Sequence, residues 1–190
     1  MKHLPYSQHS PPICWEGVTL IELIVTICVM AILVMIAIPS FQTLIQNNRI
    51  TSQTNALFHA LNYARNTALT QNMNVLACPA GTLSSTTCGT SWSNGWIIVS
   101  QPSPGVPVLL QAHFSGPHDP TLSNVPIGGV ATTSVTFDSR GIATTQAYFK
   151  VCDVRGGAYA QSVEVLPTGF IQVGSTMGTA VWDASALACP

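Results

Sequence analysis

The stretch GVTLIELIVTICVMAILVMIAIPSF, Gly17 to Phe41, decides the fold. From Val18 to Ile38 its only polar side chains are Thr19, Glu22 and Thr26. As a helix rising 1.5 Å per residue, this segment is about 30 Å long, the thickness of a bilayer's hydrocarbon core. A cleaved secretory signal has a basic start, a shorter apolar core and small residues at its far end. This run is long and finishes in AIPSF, so it reads as a retained membrane span.

Two residues are out of place in such a span, Glu22 and Pro39. An ionised carboxylate inside a membrane costs a few kcal/mol, so Glu22 either pairs with a cation or snorkels into the headgroups at the membrane edge. Pro39 removes a backbone hydrogen bond and crowds the preceding turn, so a kink or local unwinding is expected just before it. Beyond Pro39 the chain stays rich in helix formers, and Leu57, Ala60, Leu61, Ala64 and Ala68 form one apolar stripe at spacings of three and four. The helix is therefore expected from about Val18 to about Asn72, roughly 80 Å, with a membrane-embedded front half and an amphipathic rear half.

Composition agrees with avoidance of water: only 7% of the 190 residues are charged, against about a quarter in soluble domains. Six lysines and arginines face seven acids, so no basic field exists to draw polyphosphate over long range.

After Asn72 the chain changes to short β-branched runs separated by Gly, Pro, Asn and Ser, the pattern of antiparallel strands. Strands are expected near Val75 to Cys78, Gly95 to Ser100, Val106 to Ala112, Val135 to Phe137, Ile142 to Val154, Ser162 to Leu166 and Phe170 to Val173. DSRG (Asp138 to Gly141) and PTG (Pro167 to Gly169) read as tight reversals. The stretch SGPHDPTLSNVPIGG, Ser115 to Gly129, reads as a flexible loop.

Gly17 followed by VTLIE resembles the processing site of type IV prepilins and type II secretion pseudopilins. In that family a dedicated peptidase cuts after the glycine and methylates the new amino terminus, which would be Val18. The resemblance places the family's glutamate at Glu22 and its helix-softening proline at Pro39. It implies that Glu22 pairs with the terminal amine of a neighbouring subunit, where two opposite charges satisfy each other in low dielectric. The leader departs from the family pattern: MKHLPYSQHSPPICWEG is long, has Lys2 as its one formal cation and puts Glu16 beside the cut. Downstream, NGWIIV and VEVLPTGFIQV resemble the GspH/FimT group of minor pilins and pseudopilins. The fold class so implied is α+β and pilin-like: one long N-terminal helix packed on an antiparallel β-rich domain. The corresponding division is a cleaved leader at 1–17, a transmembrane and assembly half-helix at 18–45, and a periplasmic domain at 46–190, helical to residue 72 and β-rich from 73.

Of six cysteines, Cys14 lies in the leader and Cys28 in the apolar helix. Cys78, Cys88, Cys152 and Cys189 remain, an even number suited to two disulfides in an oxidising periplasm. Four cysteines permit three pairings. Cys78 with Cys88, closing a short loop, and Cys152 with Cys189, tying the last residues onto a central strand, are preferred. A zinc site is the rival reading, but its usual closely spaced C-x2-C pairs are absent, so no metal is expected.

No enzyme is expected and no cofactor. His113, His118 and Asp119 lie close in sequence, but beside a Pro/Gly stretch with no serine elbow, paired-carboxylate pattern or H-E-x-x-H helix, so a solvated loop is the better reading. His59 reads as a packing or surface residue, and Trp92, Trp96 and Trp182 as core or subunit-contact residues. Some FimT-type pilins capture DNA through an arginine-bearing C-terminal motif. This chain ends GTAVWDASALACP, with no arginine after Arg155, so DNA-binding residues are not expected. The partners implied are other pilin or pseudopilin subunits, the prepilin peptidase and the inner membrane. A membrane-tethered pilus-tip module for DNA uptake or adhesion is the alternative function.

Overall fold

The structure, a computed structural model, describes residues 17–81 and 86–189. It divides into two compact units, one up to Gln42 and one from Thr43.

Helix α1, Leu20–Gln71, includes Pro39. Thr19 starts it: its hydroxyl oxygen accepts from the Glu22 N–H at 3.3 Å, and its carbonyl from the Leu23 N–H at 3.1 Å, which satisfies amide donors that the first turn leaves open. Every residue from 17 to 45 is exposed, and an 18-residue window of this apolar part has mean hydropathy 2.9, with none of it buried.

From Ile50 the pattern reverses. Ile50, Gln53, Thr54, Leu57, Ala60, Leu61, Ala64, Thr67 and Ala68 are buried at steps of three and four, forming one stripe against the sheets. Alanines in that stripe let the strands approach closely. Where Thr54 enters the core, its hydroxyl donates to the Ile50 carbonyl at 2.8 Å.

Eight strands follow: β1 Asn74–Pro79, β2 Gly95–Gln101, β3 Val108–Phe114, β4 Thr121–Val125, β5 Val135–Phe137, β6 Ala147–Cys152, β7 Gln161–Val165 and β8 Ile171–Val173. They form two antiparallel four-stranded sheets, in the orders β3-β2-β1-β5 and β4-β6-β7-β8. Alternation divides each sheet's side chains between two faces. Trp96 and Ile98 of β2 join the main core with the helix stripe, Phe137, Phe149 and Val163. Ile97 and Val99 face the other way, into a small cluster with Cys78 and Ala80. In the second sheet, Val163 and Val165 of β7 face the main core, while Ser162 and Glu164 of the same strand are also buried. The C-terminal segment covers Ser162. Ser162 Oγ donates to the Thr179 carbonyl at 3.1 Å and accepts from the Val181 N–H at 3.0 Å. Trp182 stacks on Tyr148 with centroids 4.4 Å apart. Glu164 has an amide on each carboxylate oxygen, Gln146 Nε2 at 3.1 Å and Gln172 Nε2 at 2.5 Å.

Three sequence expectations are corrected. The 115–129 stretch is not all loop, because it contains β4, which pairs along its whole length with β6. Two of its three prolines, Pro120 and Pro126, flank the strand, where the missing N–H breaks no ladder, and β4 lies at a sheet edge. The 142–154 stretch is not one strand: Ala143 bridges to Phe137 of the first sheet and donates to the Pro167 carbonyl at 3.1 Å, and only from Ala147 does the chain run in the second sheet. The segment 142–146 hands the chain from one sheet to the other. The strand read at 106–112 lies two residues later, as β3, and its pairing with β2 shifts register between Ile98 and Val99.

Candidate functional site: an apolar helix, two staples and a pocket

Gly17 and Val18 precede the helix, both exposed, and Glu22 lies in its first turn. Glu22 is therefore a carboxylate on a surface of Leu20, Ile21, Leu23, Ile24 and Val25, each at least 44% exposed. That surface is unsuited to water, and among the described residues no cation pairs with the carboxylate. Residues 1–16, with Lys2, Cys14 and Glu16, lie outside the described residues.

The four domain cysteines form two disulfides, Cys78–Cys88 and Cys152–Cys189, closing separations of 10 and 37 residues. Each sits in a satellite core: Cys78 and Cys88 with Ile97 and Val99, and Cys152 and Cys189 with Ala160, Ala180 and Leu187. Clusters this small bury too little apolar surface to hold their segments alone, and the cross-links supply what is lacking. Cys28 is free and exposed.

His113 belongs to β3 rather than to a solvated loop, as the sequence had suggested. It stacks on Trp96 with centroids 4.1 Å apart, and its Nε2 lies 3.3 Å from Gln53 Oε1 on the helix. Burial pushes its pKa below the usual imidazole value, against the opposing pull of Asp119. Its strand position was hidden by the prolines on either side. His118 and Asp119 are exposed, and Asp119 Oδ2 accepts from the Gly116 N–H at 2.7 Å. His59 is exposed on the helix, while Trp92 and Trp96 are buried in the core. Among the described residues, no group of three or more His, Cys, Asp or Glu is placed to hold a metal ion.

A half-open cavity of about 420 Å³ lies between Gln46 and Arg49 of α1, the 117–121 stretch and the end of β6. Sequence reasoning passed over Arg155, which braces this corner. Its Nε donates to Asp153 Oδ2 at 2.8 Å, its Nη1 to Asn47 Oδ1 at 2.8 Å, and its guanidinium carbon sits 4.2 Å over the Tyr159 ring. The one available signal was the Asp-x-Arg pair inside DVRGG.

The family model of type II transport protein GspH matches residues 53–169, more than half of the chain. By structure the chain is similar to the type IV minor pilin FimU of Pseudomonas aeruginosa PAO1 in two crystal forms. One gives a TM-score of 0.53 at 21% identity, covering 71% of this chain and 96% of that one. The other gives 0.51 at 20% identity, covering 70% and 99%. No curated protein matches the chain. With a helix stripe packed on two antiparallel sheets and a family match that spans both, this chain belongs to the GspH family and has the pilin fold.

Proposed function

We propose that the protein is a structural minor pilin or pseudopilin of a type IV pilus or type II secretion system, held in the inner membrane by residues 18–45 with residues 46–190 in the periplasm. Residues 1–17 are the leader, cut after Gly17 by a prepilin peptidase that methylates Val18. Assembly runs through α1: Glu22 meets the amine of a neighbouring Val18, and Pro39 softens the helix for packing among its neighbours.

The observation that carries this reading is the exposed apolar face around Glu22. Lipid satisfies the apolar residues, but a carboxylate in lipid needs a partner, and a subunit stacked one step away brings its amine to that depth. The test is Glu22→Ala, expressed beside wild type in a strain lacking the native gene. The variant should reach the membrane, be cleaved and form both disulfides, yet be depleted from sheared surface filaments. Equal incorporation at equal membrane level would leave Glu22 a snorkelling residue and remove the assembly role.

A further inference from the structure

Among the described residues, Arg49 is the one lysine or arginine with no hydrogen bond or ion pair. Arg65 donates to the Gly141 carbonyl, Arg140 pairs with Asp138, Lys150 donates to the Ala188 carbonyl and Arg155 pairs with Asp153. Arg49 is also exposed, on the wall of the 420 Å³ cavity. The acids there are engaged: Asp153 by Arg155, and Asp119 by the Gly116 N–H. Val154 lies on the same cavity and is 95% exposed, the most exposed large apolar residue of the described chain.

The walls of this cavity are fixed before anything binds. The helix wall is tied to the turn after β6 by Arg155 on Asn47. Behind it, Cys152 is bonded to Cys189. A preformed pocket with an uncommitted guanidinium and a bare apolar residue has the make-up of a protein contact, where arginine is enriched and ordering costs are small.

We propose that this pocket receives an acidic side chain of a neighbouring pilin subunit, with Arg49 as its counter-charge and Val154 as the adjoining apolar contact. The inference rests on the filament reading above. The neighbour is a different subunit rather than a second copy, because this chain has little acid to offer. Among the described residues, Asp138 and Asp153 hold arginines, Asp183 accepts from the Ser185 N–H, Glu164 is buried, Asp119 lies in the pocket itself and Glu22 is on the apolar helix.

The full-length chain carrying photoreactive p-benzoylphenylalanine at Val154 tests this, expressed in its own host lacking the native gene, with the irradiated adduct mapped by mass spectrometry. The expected adduct is to another pilin-type subunit, at a peptide containing Asp or Glu. Arg49→Glu in the same background should lower the adduct roughly tenfold, because it turns a charge pair into a repulsion, while Arg49→Lys should retain most of it. Membrane level and both disulfides should be unchanged in Arg49→Glu, since Arg49 holds nothing within its own domain. An adduct to a second copy, an adduct indifferent to Arg49→Glu, or no adduct from a chain that is present in sheared filaments would overturn the proposal and leave the assembly reading standing. Absence of the wild-type chain from filaments would overturn the assembly reading, and this inference with it.

Discussion

Arg155 and Asn47, 108 residues apart in sequence, are joined by a 2.8 Å hydrogen bond from the guanidinium to the side-chain amide oxygen. The same guanidinium holds Asp153 at 2.7 Å, with both side chains of that pair less than 15% exposed. Removing Arg155 leaves a largely buried carboxylate without its counter-charge. Arg155→Ala should therefore cost about 2 to 3 kcal/mol, lowering the melting temperature of the detergent-extracted protein by about 5 to 10 °C. Arg155→Lys should fall between, because it keeps the charge but not the fork that reaches Asn47.

The Cys152–Cys189 bond closes the longer loop. In the chain-entropy account, a loop of this size stabilises the fold by about 3 to 4 kcal/mol. Cys152→Ser with Cys189→Ser should lower the melting temperature by about 10 °C, more than loss of Cys78–Cys88, whose loop is shorter. Thermal unfolding of the two double variants, with non-reducing peptide mapping of wild type, checks both the order and the pairing.

Gly169 ends the turn after β7 with φ +78°, and a Cβ there would meet the Gly141 carbonyl oxygen at 1.8 Å. That same oxygen accepts from Arg65 Nε at 3.0 Å. Gly169→Ala should cost about 3 kcal/mol or more, from left-handed strain added to a clash that also displaces the helix contact. A variant melting within 2 °C of wild type would contradict this geometry.

The His113 pKa lies below its unfolded value, chiefly through burial. The unfolded chain therefore binds more protons between the two values, so stability is complete above about pH 6.5 and declines as pH falls from there towards the folded value. Asp138 is shifted in the same direction by the Ile142 N–H and Arg140, but it titrates below its own ordinary value, in a lower window. Melting wild type and His113→Phe at pH 7.5 and 5 isolates the histidine. Wild type should lose more stability than the variant over that interval.

What the sequence disclosed follows from how local each signal is. The apolar run, Glu22 and the 57–68 stripe are legible because helical periodicity is written within a few residues. β2 and β7 are legible as short β-branched runs between turn residues. β4 was not, because TLSNV contains one buried residue, Leu122, and its strand character comes from pairing with β6, whose sequence is distant. The 142–146 crossing was hidden for the converse reason: its residues suit a strand, and only the positions of the two sheets break the run. The pocket corner was invisible because Asn47 and Arg155 meet only once the fold is formed.

The bond that fastens Cys189 to β6 has a mechanical consequence. A subunit in a filament under tension yields length by unravelling, and 37 residues of released chain would add about 120 Å at full extension. Because both ends of that loop are covalently joined, a pull between the helix and the final residues bypasses it. The chain's last fifth can lose its packing and still contribute no slack.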